Sequence, residues 1–187
     1  NDLMRYWLLL PILLMSFSQV LWAEVTRATP LMPSIQGQQL VVDGQITLGM
    51  TPTMQKALLS GIAIEYSIQV DLIDPDEWFW RNGLTTKKMR VRLSYDPLKQ
   101  TYLLSNLTLS RLNTDRDLTR ALSTLGSIQS FPLISADKLL ANKAYALQLK
   151  VSLERESLPN ALRLSSLLDS EWRVNLSGHP QPWTYQP

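Results

Sequence analysis

Acidic and aromatic side chains crowd into one short stretch of the sequence, DPDEWFWRNG, at Asp74–Gly83. Its carboxylates could bind calcium through oxygen ligands or serve as the acid and base of glycoside hydrolysis. The neighbouring aromatic rings offer apolar faces against which sugar rings can lie. The stretch lacks the mid-loop glycine and the distal glutamate of an EF-hand. A carbohydrate-binding or carbohydrate-active envelope protein that uses the loop Asp74–Trp80 is therefore one hypothesis, and a plain hairpin connection is the alternative.

Other reactive groups are few. The chain has no cysteine and a single histidine, His179, which lies in the proline-flanked tail SGHPQP. A Ser-His-Asp site would have to use that histidine, and a zinc site normally needs cysteine or several histidines. The sequence contains no GxGxxG, no phosphate-binding glycine loop and no HExxH. We therefore expect no metal, no cofactor and no catalytic residue, and we predict that the protein is not an enzyme.

The strongest candidate for a contact surface combines aromatic rings with a guanidinium group: Trp78, Phe79, Trp80 and Arg81. Three consecutive side chains on an extended chain cannot all face one core, so at least one ring should be exposed or covered by a distant segment. Clusters of tryptophan and arginine are typical of protein-binding hot spots. The alternative is a satellite cluster in which Trp172 and Trp183 close over these rings.

Three cations alternate with apolar residues shortly afterwards and are named here the basic stripe: Lys88, Arg90 and Arg92. The formal net charge of the chain is only +2, whereas nucleic-acid binding needs a concentrated basic footprint, so we expect no nucleic-acid partner. The stripe could instead contact a protein. The alternative is a solvated sheet face with acidic neighbours, in which Asp71 would face Lys88 and Glu65 would face Ser94 across a hairpin.

The amino-terminal residues predict export. Arg5 precedes the apolar run Tyr6–Met15, and Ala23 supplies a small residue at a plausible cleavage point, which is the pattern of a secretory signal peptide. The run is about half of the roughly 20 residues that a membrane-spanning helix needs. We expect cleavage to leave a periplasmic protein with no integral membrane segment. An uncleaved anchor stays open as the alternative, because Leu21 stands two positions before Ala23, where a small residue is usual.

Periodic patterns predict a domain rich in strands. Polar and apolar residues alternate strictly in 62–73, 86–95 and 145–154, as in strands with one face on a core and one in water. Further strands are predicted at 39–48, 101–109, 128–134 and 170–176. Two short helices are predicted: one follows the cap Thr51 and ends before Gly61, and the other spans 115–125 after the cap Thr114.

The fold class that follows is mainly β, with α+β possible: an antiparallel, sandwich-like sheet with a few short helices. Residues 24–37 contain two prolines and no periodicity, so they are predicted to be a flexible leader. The expected organisation is a signal peptide at 1–23, this leader at 24–37 and a single β-rich domain at 38–187.

The order and spacing of several motifs resemble one known family. They are an alternating strand followed by WFW, the hairpin RLSYDPLKQTYLL, the helix DLTRALSTLG and the segment LPNALRLSSLLDSEWRV. The chain is similar to a proteobacterial family of exported proteins, domain of unknown function 4390. The resemblance implies a periplasmic, signal-bearing protein with no assigned catalytic residues. It also implies a role near a membrane sensor histidine kinase, since such kinases often accompany members of the family.

We therefore predict a periplasmic, non-enzymatic binding or accessory protein. It would contact a protein partner in the envelope, such as the outer part of a membrane sensor kinase, through Trp78–Arg81 and the basic stripe. A structural component of an envelope assembly is a further hypothesis.

Overall fold

The computed structural model describes residues 26–77 and 84–187 of the chain. The strands are β1 (Arg27–Ala28), β2 (Met32–Gln36), β3 (Gln39–Thr47), β4 (Ile64–Ile73), β5 (Thr85–Asp96), β6 (Thr101–Asn106), β7 (Arg111–Asp115), β8 (Ser127–Ser135), β9 (Ala144–Leu153), β10 (Leu176–Ser177) and β11 (Gln181–Thr184). The helices are α1 (Pro52–Leu59), α2 (Leu118–Leu125) and α3 (Asn160–Leu168). All strand pairs are antiparallel and form two sheets, which confirms the mainly β, sandwich-like fold class.

The smaller sheet is built around β3, which pairs with β1, β2 and β8. Its first two strands lie in residues 24–37, for which the sequence predicts a flexible leader, and that prediction is wrong for this stretch. A two-residue turn begins at Gly37, whose φ of +60° suits glycine, and it folds β2 back onto β3. Leu31 is only 4% exposed. Short edge strands next to prolines leave no periodic signal, which is why the pattern misses them.

The larger sheet runs in the order β10-β9-β4-β5-β6-β7, and β11 also pairs with β9. Strand β4 is therefore central, with β9 on one side and β5 on the other. The β4–β5 register differs by two residues from the register considered above, because Glu65 pairs with Arg92 and Asp71 with Thr86. A shift by two keeps every side chain on its predicted face and changes only its neighbours.

One hydrophobic core joins the two sheets. Its apolar side chains come from β3 and β8 of the smaller sheet, from β4, β5, β6 and β9 of the larger sheet, and from α1 and α2. Helix α2 buries Ala121, Leu122 and Leu125, as its apolar stripe predicts. Gly126 follows it, and its carbonyl accepts a hydrogen bond of 2.8 Å from the Ile46 amide, so the helix end lies directly against β3.

Helix starts and the carboxy-terminal segment show where local patterns mislead. Helix α1 begins as predicted, with the Thr51 hydroxyl accepting from the Met54 amide. Helix α2 begins later than predicted and is capped by Asp117, because the preceding residues form β7. The predicted strand at 170–176 is mostly wrong: Ser170–Trp172 forms a single 3-10 turn that buries Trp172. Within the described ranges, no helix has the length and apolar character needed to cross a bilayer.

Candidate functional site

The structure places the basic stripe on one face of β5. Lys88, Arg90 and Arg92 are all exposed, whereas Met89, Val91 and Leu93 between them are buried in the core. The stripe therefore lies on the outer face of the larger sheet, beside the central strand β4. The other candidate residues, Trp78, Phe79, Trp80 and Arg81, lie outside the described residues.

The face of β4 that the sequence assigns to water is mostly buried, with only Gln69 partly exposed, so that prediction is wrong for most of the face. Glu65, Ser67 and Asp71 on this face are between 3% and 9% exposed. Long side chains from β5 and β9 cover them, and a 3-10 turn after β9 packs nearby, where the Glu154 amide donates to the Glu65 carbonyl at 2.8 Å. Side chains of the two neighbouring strands cover a central strand from both sides, and the alternating pattern of that strand alone cannot reveal this.

Glu65 is paired with a member of the basic stripe. Its Oε1 atom accepts a hydrogen bond from Arg92 Nε at 2.5 Å, and Arg92 Nη2 contacts the same oxygen. The Glu65 side chain is 4% exposed and that of Arg92 is 44% exposed. The guanidinium thus covers the carboxylate from the solvent side, and the buried Glu65 carboxylate largely neutralises the charge of Arg92.

Asp71 gathers three donors from three strands. Lys150 Nζ lies 2.8 Å from Oδ2, the Thr86 hydroxyl donates to Oδ1 at 2.7 Å, and Gln69 Nε2 donates to Oδ1 at 2.8 Å. Burial alone would raise the pKa of this carboxyl, but the hydrogen bonds from Lys150, Thr86 and Gln69 outweigh it and hold the pKa below its usual value. Asp71 is therefore charged at neutral pH and neutralises Lys150.

The charge balance of this face is uneven along the stripe. Arg92 and Lys150 each sit over a buried carboxylate, whereas Lys88 and Arg90 have no ion-pair partner within the part of the chain that the structure describes. Their cross-strand neighbours on β4 are Gln69 and Ser67, which carry no charge. The first two members of the stripe are therefore an exposed pair of cations beside the central strand β4.

Asp74 and Asp76 of the Asp74–Trp80 loop form ion pairs within the fold. Asp74 is 7% exposed, its Oδ2 lies 2.5 Å from Lys143 Nζ, and its Oδ1 accepts from the Asp76 amide at 3.0 Å. The hydrogen bond to Asp74 is the main reason that the pKa of Lys143 is raised above its usual value. Asp74 thus fastens the end of β4 to the turn before β9, and Asp76 reaches the same lysine at 3.4 Å.

A family model described as Domain of unknown function (DUF4390) matches residues 23–181, which is well over half of the chain. The chain belongs to the DUF4390 family. No curated protein and no solved structure matches the sequence.

The late tryptophans of this DUF4390 domain lie in different surroundings. Trp172 is 2% exposed and belongs to the hydrophobic core. Trp183 lies on β11, with its ring centroid 6.2 Å from Tyr145 and 6.0 Å from Tyr185. Lys143, the partner of Asp74, lies 5.9 Å from the Tyr145 ring. The cluster of Trp183, Tyr145 and Tyr185 is therefore close to the end of β4, after which the chain continues to residue 78. Trp172 instead belongs to the core.

His179 lies at the rim of an open cleft of about 350 Å³ in the DUF4390 domain. The cleft is lined mainly by apolar groups between the β1–β2 connection and the β10–β11 turn, including Pro30, Leu149 and Leu176. His179 itself is exposed, as expected of a residue in a proline-flanked loop. Within the described ranges, no three His, Asp or Glu side chains gather as metal ligands would.

Ser135 and Lys138 stand at the spacing of a serine–lysine pair, S-x-x-K. The Ser135 hydroxyl donates to the Gln38 carbonyl at 3.3 Å, and Lys138 is exposed. The Ser135 hydroxyl is thus engaged with the backbone, and the spacing marks only the first turn of a 3-10 helix, Ala136–Lys138.

Proposed function

We propose that this chain is a periplasmic, non-enzymatic binding or accessory protein that holds a protein partner against the basic stripe. The observation that carries the proposal is the exposed pair Lys88 and Arg90, whose charges are unmatched within the described residues. The complementary surface is acidic, and the outer part of a membrane sensor histidine kinase is the first partner to test.

The setting of the stripe suits recognition. Side chains two residues apart on a strand are spaced by about 6.6 Å, so Lys88, Arg90 and Arg92 present a regular row. Strand β5 pairs with β4 along the whole stripe, and on its other side β6 pairs with it from Val91 onward, while the Arg90 backbone bonds to Leu107 and Thr108. A partner would therefore meet charges that are already positioned, and rows of one sign speed the encounter with a surface of the opposite sign.

The aromatic residues that precede β5 in the chain complete the proposed surface. Residues 78–83 connect the 3-10 turn Pro75–Glu77 to β5, so Trp78–Arg81 precede Lys88 by seven to ten residues. Partner interfaces commonly combine an aromatic anchor with a charged rim. In this proposal Trp78 and Trp80 supply the anchor, and Lys88 and Arg90 orient the partner.

The Lys88–Arg90 pair can be tested by crosslinking in the intact envelope. A photo-activated residue at position 90 should give one adduct of defined mass, and the same residue at the exposed position 56 on α1 should not. The double variant Lys88→Glu/Arg90→Glu should abolish the adduct formed from a probe at position 105 on β6, which pairs with Arg92. The matched control Lys56→Glu/Lys138→Glu changes the net charge equally and should leave that adduct intact.

Equal adducts from positions 90 and 56, or an adduct that survives the charge reversal, would contradict the proposal. The purified adduct identifies the partner, and its affinity should fall as salt screens the cations. A change in tryptophan fluorescence on titration with cell-wall fragments would instead favour the carbohydrate hypothesis.

A further inference from the structure

Helix α3 is amphipathic, but its polar side faces the domain and its apolar side faces solvent. The side toward the domain carries Ser166, which is 0% exposed, and the partly buried Arg163. The opposite side carries Leu164 and Leu168, which are 72% and 85% exposed, and Leu167 at its border is 55% exposed. Surface helices normally bury such leucines, so an apolar outer face on a short helix indicates a surface that another apolar phase covers.

The inward side of α3 is held by polar contacts. Ser166 Oγ donates to the Arg163 carbonyl at 2.8 Å, and Arg163 Nη2 donates to the carbonyls of Glu156 and Leu158 at 2.9 and 3.2 Å. The two Arg163 bonds tie α3 to the segment just before it, and the partly buried Leu162 packs against the core, so these contacts fix which side of the helix meets the domain. The leucine face is therefore held outward by the contacts of the opposite side.

The described chain begins close to the carboxy-terminal end of this helix. The Thr26 hydroxyl accepts a hydrogen bond from the Gly49 amide at 3.0 Å. Two residues later, the Thr51 hydroxyl donates to the Glu171 carbonyl at 2.7 Å. Glu171 lies in the 3-10 turn that follows α3 and packs against it. The segment before Thr26, which carries the apolar run Tyr6–Met15, thus joins the domain at the end where Leu168 is exposed.

We propose that the leucine face of α3, formed by Leu164, Leu167 and Leu168, rests in the acyl-chain boundary of a lipid bilayer. If the run Tyr6–Met15 is retained as the uncleaved anchor considered above, its entry into lipid brings the bilayer to the Thr26 end of the domain, where these leucines are exposed. The charged residues beside the face have both signs, with Asp169 and Glu171 near Arg173. Binding therefore depends on apolar contact and not on anionic headgroups.

The absence of cysteine allows a direct test with the full chain. Leu168→Cys carries an environment-sensitive fluorophore, and the protein is mixed with phosphatidylcholine vesicles whose acyl chains are brominated. Leu112→Cys and Leu98→Cys are matched controls, since these leucines are 67% and 95% exposed on the β6–β7 side of the larger sheet and in the β5–β6 turn. We expect about a two-fold or greater loss of fluorescence at position 168 and little at 112 or 98.

The same readout separates the outcomes. Quenching at position 168 should persist in about 0.5 M salt, which screens surface charges and would weaken contacts of the basic stripe. Quenching at 168 no greater than at 98 would overturn the proposal. A label at 168 that is already shielded before vesicles are added would also overturn it, because a second copy or another segment of the chain would then cover the face.

Discussion

The side chain of Gln181 forms the two hydrogen bonds of a strand pair with the backbone of Leu31. The Leu31 amide donates to Gln181 Oε1 at 2.9 Å, and Gln181 Nε2 donates to the Leu31 carbonyl at 2.7 Å. Leu31 lies between β1 and β2 of the smaller sheet, and Gln181 begins β11 of the larger sheet. One amide group therefore joins the two sheets at residues that are 150 positions apart in the chain.

We expect Gln181→Ala to lower the free energy of unfolding by about 1–3 kcal/mol, because it leaves both backbone groups of Leu31 without their partner. Urea unfolding measures the change, and hydrogen exchange at the Leu31 amide should speed up. Gln186→Ala, in the exposed tail, is the control and should change little. A Gln181→Ala variant as stable as that control would show that the bridge contributes nothing.

The interaction between Glu65 and Arg92 can be tested by double substitution. Arg92→Ala leaves a buried carboxylate uncompensated and should cost about 2 kcal/mol or more, allowing for the partial exposure of Arg92. Glu65→Ala/Arg92→Ala should be more stable than Arg92→Ala alone, since no charge then remains buried. Denaturant unfolding of the wild type, of Glu65→Ala, of Arg92→Ala and of the double variant gives the coupling energy between the two side chains. Additive losses would mean that the two groups do not interact.

Asp71 predicts a loss of stability in acid. Its folded pKa lies below its usual value, because hydrogen bonds from Lys150, Thr86 and Gln69 outweigh the effect of burial. The stabilisation that the charged Asp71 adds to the free energy of unfolding is therefore fully present above the unfolded pKa of about 3.9. It is lost as the pH falls through the folded pKa. Asp71→Asn should be less stable than the wild type at pH 7, and the difference should shrink below about pH 4. The exposed Asp137→Asn is the control, and a difference that is independent of pH would contradict this assignment.

Gly126 predicts the largest effect of a single methyl group. A Cβ at this position would lie 1.9 Å from the Ile46 carbonyl oxygen, so β3 and α2 would have to separate. We expect Gly126→Ala to cost about 3 kcal/mol or more. Gly37→Ala meets no atom within 4 Å and suffers only from its positive φ, so it should cost about 1 kcal/mol. Equal thermal shifts for the two variants would show that the contact with Ile46 can relax.

The aromatic part of the proposed partner surface predicts a loss of binding without a loss of folding. Trp78→Ala/Trp80→Ala should weaken capture of the partner at least about tenfold, as hot-spot tryptophans do, while the unfolding temperature stays within a few degrees. The crosslinked partner supplies the ligand for this measurement. A collapse of thermal stability would place these rings in the core and remove their role in contact.

Much of the fold was predictable from the sequence because the signals are local. Alternation in 62–73, 86–95 and 145–154 matches β4, β5 and β9 within two residues, and the Thr51 cap matches the start of α1. Side-chain periodicity and capping depend on neighbours in the chain, so they survive without any knowledge of the tertiary structure. The outward side of the basic stripe follows from the same periodicity.

Other features were decided only when the strands came together. The sequence alone determines that Glu65 and Asp71 share one face of a strand; the position of β4 between β5 and β9 decides that this face is buried and which cations meet it. The β1–β2 edge and the inverted sides of α3 likewise depend on what packs against them. Burial and strand pairing depend on contacts between segments that are distant in the chain, whereas a periodic pattern shows only which residues point to the same side.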